Sequence, residues 1–259
     1  MKPLQFFLGL FCFLFLVPST AQQSQNFYRY DDGRVKISTK TGIKDTLIFH
    51  SDVQDDFAMT SGAISLVLGI LVPKLVENVP KLFYNPENYI KESLVSRSFL
   101  HRDGSFTRLG ELHHIEYRKM AGDEPLALFN FTIGDTFMDN GYLDIELASA
   151  KINHTAVQLT SQNHNLNVVV EVFFHYYDAK QLKLVHVVEP FVINNAVTGP
   201  LYQPKDQKIR LIPKFALLES IEVKVTEVNA RKKDWDAYLS LYQEHSGKLS
   251  GYLLGLINQ

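Results

Sequence analysis

Cysteine is almost missing from this chain of 259 residues: the one thiol, Cys12, sits in an apolar run close to the start. Once a leader containing it is removed, no disulfide can form, so the fold must rest on a hydrophobic core rather than on covalent staples. The same scarcity removes a cysteine nucleophile and a thiolate metal site. Phe11 precedes Cys12 where a lipoprotein signal would want a small residue, which argues against lipid attachment.

Charge of one sign is missing as well. Lys and Arg number 26 against 28 Asp and Glu, a formal charge of -2, with no basic block and no interleaving of basic and aromatic residues. Nucleic acid is therefore not an expected partner. HExxH and paired-cysteine spacings are absent, as are glycine-rich phosphate loops. Ser61 lies in Thr-Ser-Gly, without the strand-turn-helix pattern of a GxSxG nucleophile. Asp52, Asp55 and Asp56 lack the alternating spacing and the glycine of a calcium loop. No repeat of solenoid length and no low-complexity linker divides the chain. These readings assign no catalytic residue, no metal and no cofactor, and leave the small-molecule ligand unknown.

What is present begins with an export signal. Lys2 supplies a short charged region, Phe6 to Val17 is apolar, and Pro18-Ser19-Thr20-Ala21 ends in small residues suited to cleavage after Ala21. Residues 1–21 are thus expected to be a signal peptide, the alternative being an uncleaved anchor.

A second apolar stretch runs from Phe57 to Val76, without a charge until Lys74. On a helix, Ala58, Gly62, Ser65, Gly69, Val72 and Val76 share one flat stripe, opposite Ile64, Val67 and Leu71. Ser51 and Gln54 have capping-box spacing, and the three aspartates suit the positive helix end. Pro73 should kink or stop the helix. A span needs roughly 20 apolar residues, so the stretch stands at the boundary between a buried core helix and a membrane helix, and both readings are kept. A third reading makes it a surface offered to a partner, so that a protein or a membrane partner is possible through this helix.

Residues 22–98 are read as an N-terminal ribbon plus this helix (57–76). Short β-like runs at Phe27 to Tyr30, Val35 to Thr39 and Thr46 to His50 are separated by Asp32-Gly33, a hairpin cue, and Thr41-Gly42. A helical patch is expected at Glu87 to Leu94.

Residues 99–259 change texture to alternation. Leu143, Ile145 and Leu147 against Asp144 and Glu146 mark a strand with one wet face, and Ile221, Val223 and Val225 against Glu222, Lys224 and Thr226 repeat it. Leu166 to Phe174 reads as a long central strand. Further strands are expected at Glu111 to Lys119, Ala127 to Ile133, Thr155 to Thr160, Leu182 to Val188 and Lys208 to Ile212, with turns at Asp139-Asn140-Gly141, Asp178 to Lys180 and Thr198-Gly199-Pro200. Trp235, Tyr238, Leu239 and Tyr242 at i, i+3, i+4 and i+7 form an amphipathic C-terminal helix that should cover a sheet. The apolar tail Tyr252 to Ile257 is expected to pack. The fold class is α+β, mainly β: an antiparallel β-sandwich-like domain with one apolar N-terminal helix and a C-terminal amphipathic helix.

Five groups of side chains invite a chemical reading. His114 and Glu116 would face one way on a strand beside His113, although zinc needs three or four converging ligands. Glu171 and His175 share a strand face and could act as a carboxylate and a base. His186 reads as a core-edge histidine whose burial would lower its pKa. Asn130-Phe131-Thr132 and Asn153-His154-Thr155 fit the glycosylation pattern. Phe173, Phe174, Tyr176 and Tyr177 could offer an aromatic platform, but alternation allows at most half of them on one face.

The expectation is an exported protein of the cell envelope, periplasmic or extracellular and open to membrane association, with a non-catalytic binding or structural role. The alternatives are a membrane-inserting or membrane-anchored protein using helix 57–76, and a hydrolase with its site on the sheet.

Overall fold

The computed structural model describes residues 24–51, 88–99, 112–136, 141–178, 180–204, 209–213 and 217–246. The expected leader, the apolar stretch 57–76 and the tail after residue 246 lie outside the described residues, as do Asp52, Asp55, Asp56 and Ser61. Among the described residues no helix is long and apolar enough to cross a membrane.

The described residues are mostly β, in antiparallel sheets, with one helix among them. Strands β1 (Gln25–Asp31) and β2 (Arg34–Lys40) form a hairpin of their own. Asp32 and Gly33 both take positive φ, 51° and 73°, as a two-residue turn matched to strand twist requires. The third run of the expected ribbon becomes β3 (Ile43–Ser51), which leaves the hairpin and edges a six-stranded sheet. There it pairs with β5 (Leu112–Ala121), followed by β6 (Glu124–Gly134) and β7 (Tyr142–Ile152). The far edge of β7 is shared by two short strands, β11 (Leu201–Tyr202) and β12 (Arg210–Pro213).

The second sheet centres on β8 (Leu166–Tyr177), the strand expected to be central. On one side β8 pairs with β13 (Leu217–Asn229), and β13 with β4 (Ile90–Ser98). On the other side lie β9 (Lys183–Val187) beside its C-terminal half and β10 (Phe191–Ala196) beside its N-terminal half.

Alternation decides which faces meet. Val168, Val170, Val172 and Phe174 of β8 join Ile221, Val223 and Val225 of β13, and meet Ile115, Tyr117, Phe129, Phe131 and Ile145 from the other sheet in one buried cluster. Leu47, Phe49 and Val95 enter the same cluster, so strands on both sides of Phe99 build it. Each such side chain contributes about 1.5–3 kcal/mol by leaving water. Helix α1 (Lys232–Ser246) lies on the outer face of the second sheet, burying Tyr238 and Leu239 against Ile90, Val169 and Val228.

Two expectations are corrected. From Ile90 onward the helical patch is instead strand β4, which pairs with β13 over its whole length. Lys91 and Glu92 suit a helix, but Ser93 and Val95 are buried, and sheet pairing outweighs so weak a local preference. The strand expected at Thr155 to Thr160 is reduced to a single bridge between Thr155 and Tyr28. Beyond it the backbone turns away, with Gln158 N–H donating to the Asn88 carbonyl.

Candidate interaction site

Among the described residues, those singled out in the sequence do not converge on one site. His114 and Glu116 do share the outer face of the first sheet, where Glu116 is engaged by the Arg118 guanidinium. Among the described residues no three His, Cys, Asp or Glu side chains are grouped to hold a metal ion. Glu171 and His175 also share a face, but each turns to β13: Glu171 Oε2 lies 2.7 Å from Lys224 Nζ, and His175 Nε2 lies 3.8 Å from Glu222 Oε2. Glu92 completes that group, 3.9 Å from Lys224, and burial, with Glu171 adding to it, raises the Glu92 pKa above its usual value. Burial works against the Lys224 charge, yet Glu171 and Glu92 outweigh it and raise its pKa.

His186 behaves as expected. Burial lowers its pKa, partly opposed by the Leu211 carbonyl 3.2 Å from Nε2. Of the aromatic quartet, Phe174 is core and Tyr176 packs on it. Neither glycosylation pattern presents a free asparagine amide: Asn130 Nδ2 donates to Ser149 Oγ and Asn153 Nδ2 to the Pro125 carbonyl.

At one flank, where β3 and β4 bring the sheet edges together, polar side chains fill the seam. Tyr117 O–H donates to Asp45 Oδ1 at 2.9 Å. Burial first, and then the Asp45 charge, pushes the Tyr117 phenol well above its usual value of 10.0. Lys119, 5% exposed, donates from Nζ to Ser93 Oγ at 2.7 Å and stands 3.5 Å from Glu227 Oε1, itself 2% exposed. Thr155 O–H donates to the other Glu227 oxygen while its own oxygen accepts from Val157 N–H at 3.0 Å. The chain therefore carries an interior ion pair closed by hydroxyls, the arrangement that makes burial of charge tolerable. Higher on the same seam Arg97 Nη1 donates to the Leu47 carbonyl at 3.1 Å and the guanidinium lies over Phe49.

The β1–β2 hairpin covers the lower end of this seam. Tyr28 and Thr155 exchange backbone bonds of 2.7 and 3.0 Å, and Phe27 is buried with Leu126 and Ala156. Tyr30 N–H donates to Thr198 Oγ1 at 2.8 Å, and its ring stacks on His164 at 3.7 Å.

The other flank is built from the short strands β9, β10, β11 and β12. Arg210 ties its inner side, donating from Nε and Nη2 to the carbonyls of Glu189 and Pro190 at 2.7 and 2.8 Å and lying over Phe191. Outside, the flank is apolar. Leu182, Leu184, Val185 and Val187 are exposed on and before β9, Ile209 and Leu211 at β12, and Val197, Leu201 and Tyr202 around β10 and β11. Among the described residues the remaining exposed large apolar side chains are Tyr142, paired with β12, Ile37 on the hairpin and Leu217 at the start of β13. A groove of about 160 Å³ lined by Ile152, Ile193, Val197, Leu201 and Tyr202 opens between β10 and β11.

Sequence reasoning missed both flanks, although one signal was available for the first. Lys119 shares strand parity with Ile115 and Tyr117, and Glu227 with Val223 and Val225, so a charge falls on the apolar side of two strands.

No protein-family model, no curated protein and no solved structure matches this chain.

Proposed function

We propose that this is an exported cell-envelope protein, periplasmic or extracellular, whose β-sandwich-like body acts by contact, as a binding or structural component, and not by turnover. The observation that carries the reading is the gathering of exposed apolar side chains on the β9–β12 flank. Isolated apolar residues on a surface are ordinary, whereas nine exposed ones on or beside the four strands of one flank favour a role in contact. The cation on β9, Lys183, is held by Glu219 at 2.7 Å, which offsets the charge of that strand. The leader, Lys2 to Ala21, supports the address. The hydrolase reading gains nothing from the geometry, because Glu171 and His175 are each bound to a different residue of β13.

Fractionation of the full-length protein with N-terminal sequencing of the processed form tests this. The expected result is a chain beginning at Gln22 in the exported fraction; a chain in the cytosol with its leader attached would overturn the reading.

A further inference from the structure

Of the strands on the apolar flank, β9 offers an unbroken five-residue edge whose one lysine, Lys183, is paired with Glu219. Natural edge strands are protected by bulges, prolines, charges or extreme shortness. Strand β10 carries a bulge between Ile193 and Ala196, with Asn195 at φ 53°, β11 has two residues, and β12 ends at Pro213. Strand β9 pairs with β8 in unbroken register from Lys183 to Val187 and contains no proline. Its two exposed valines, Val185 and Val187, are 49% and 36% accessible.

The direction of its hydrogen bonds follows from its neighbour. Val188 N–H donates to the Val172 carbonyl at 3.0 Å, so Val188 faces β8 as a bonded pair. Antiparallel pairs alternate between bonded and non-bonded, which makes Leu184 and His186 the residues bonded to β8. Lys183, Val185 and Val187 then turn both N–H and C=O outward, and no described strand pairs with them.

We propose that a second copy of this chain occupies that edge, β9 against β9 in antiparallel register about Val185. The reading rests on the contact role proposed above and names the partner. The three outward residues are symmetric about Val185, so each outward N–H and C=O meets its counterpart: Val185 with Val185, and Lys183 with Val187 in both directions. Lysine never faces lysine, and each cation keeps its own Glu219. The pairing is isologous and closes at two copies, because the other edge of β9 belongs to β8. It would extend β4-β13-β8-β9 into one continuous sheet across the two-fold axis.

The scarcity of cysteine provides the test. Bonded antiparallel partners stand about 5.5 Å apart at Cα, within reach of a disulfide. In a Cys12→Ser background, Val185→Cys should give a disulfide-linked dimer on mild oxidation, while Ile37→Cys, more exposed but on the hairpin, should stay monomeric. In light scattering on the processed protein, Val185→Lys and Val185→Glu should each halve the mass seen for the wild type, and an equimolar mixture of the two should restore it. A monomeric wild type throughout the micromolar range, a Val185→Lys variant as dimeric as the wild type, or equal crosslinking at positions 37 and 185 would overturn the dimer. None of these outcomes decides whether the protein is exported or acts by contact, which fractionation judges separately.

Discussion

At the β3–β4 flank the two sheets meet through buried polar side chains, with Lys119, Glu227, Ser93 and Thr155 satisfying one another beneath the β1–β2 hairpin. At the β9–β12 flank the inner contacts run from His186 and Arg210 to backbone carbonyls, and apolar side chains are left outside. Both flanks solve the problem of a sheet edge. The first answers it within the molecule, by capping the Leu47 carbonyl with Arg97 and filling the seam with paired charge; the second leaves an edge whose natural complement is another strand. A buried ion pair gives a seam that tolerates no loss of a partner, whereas an open edge tolerates substitution and responds in assembly.

The comparison breaks most sharply at Lys119. Lys119→Ala leaves Glu227 charged and unpaired in the interior, and should cost about 3–5 kcal/mol in chemical denaturation followed by circular dichroism. Replacing both partners by apolar residues, Lys119→Met with Glu227→Leu, should recover much of that loss, since no buried charge then lacks its counterpart. A single substitution that costs nothing would remove the ion pair from the account.

Tyr117→Phe comes next. It leaves the buried Asp45 carboxylate without its donor, a loss of about 1–3 kcal/mol near neutral pH. Because the fold raises the Tyr117 pKa, its contribution is complete below the unfolded value of 10.0 and falls away as pH rises above it. Denaturation series at rising pH should therefore show a steeper alkaline decline for the wild type than for the phenylalanine variant. Arg97→Ala, which uncovers the Leu47 carbonyl and the Phe49 ring, should cost about 1 kcal/mol. The smallest effect on stability belongs to the open flank: Val185→Lys should change that of the monomer, measured at low concentration, by no more than about 0.5 kcal/mol while abolishing self-association.

Much of the sheet architecture was legible because one face of each strand is buried. Leu143-Asp-Ile-Glu-Leu and Ile221-Glu-Val-Lys-Val alternate as half-buried strands do, Asp32-Gly33 turns the hairpin, and Trp235, Tyr238 and Leu239 mark the helix face. Strand β4 was not legible, because Ile90-Lys-Glu-Ser-Leu carries no period-two pattern and becomes a strand only through β13. The flanks were less legible still. Leu184, Val185 and Val187 look like core residues in sequence, and their exposure depends on the order in which strands pair, which separates β9 from the interior by placing it last beside β8. The interior ion pair joins residues far apart in the chain, so each charge alone reads as solvated surface.

Hydrogen–deuterium exchange on the processed protein, at low and high concentration and alongside Val185→Lys, compares the two flanks in one experiment. The account predicts slow exchange along β3 and β4 under every condition, and slow exchange at the outward amides of β9 only in concentrated wild type. Protection of β9 that ignores both concentration and the lysine substitution, or a β3–β4 seam that exchanges quickly, would contradict it.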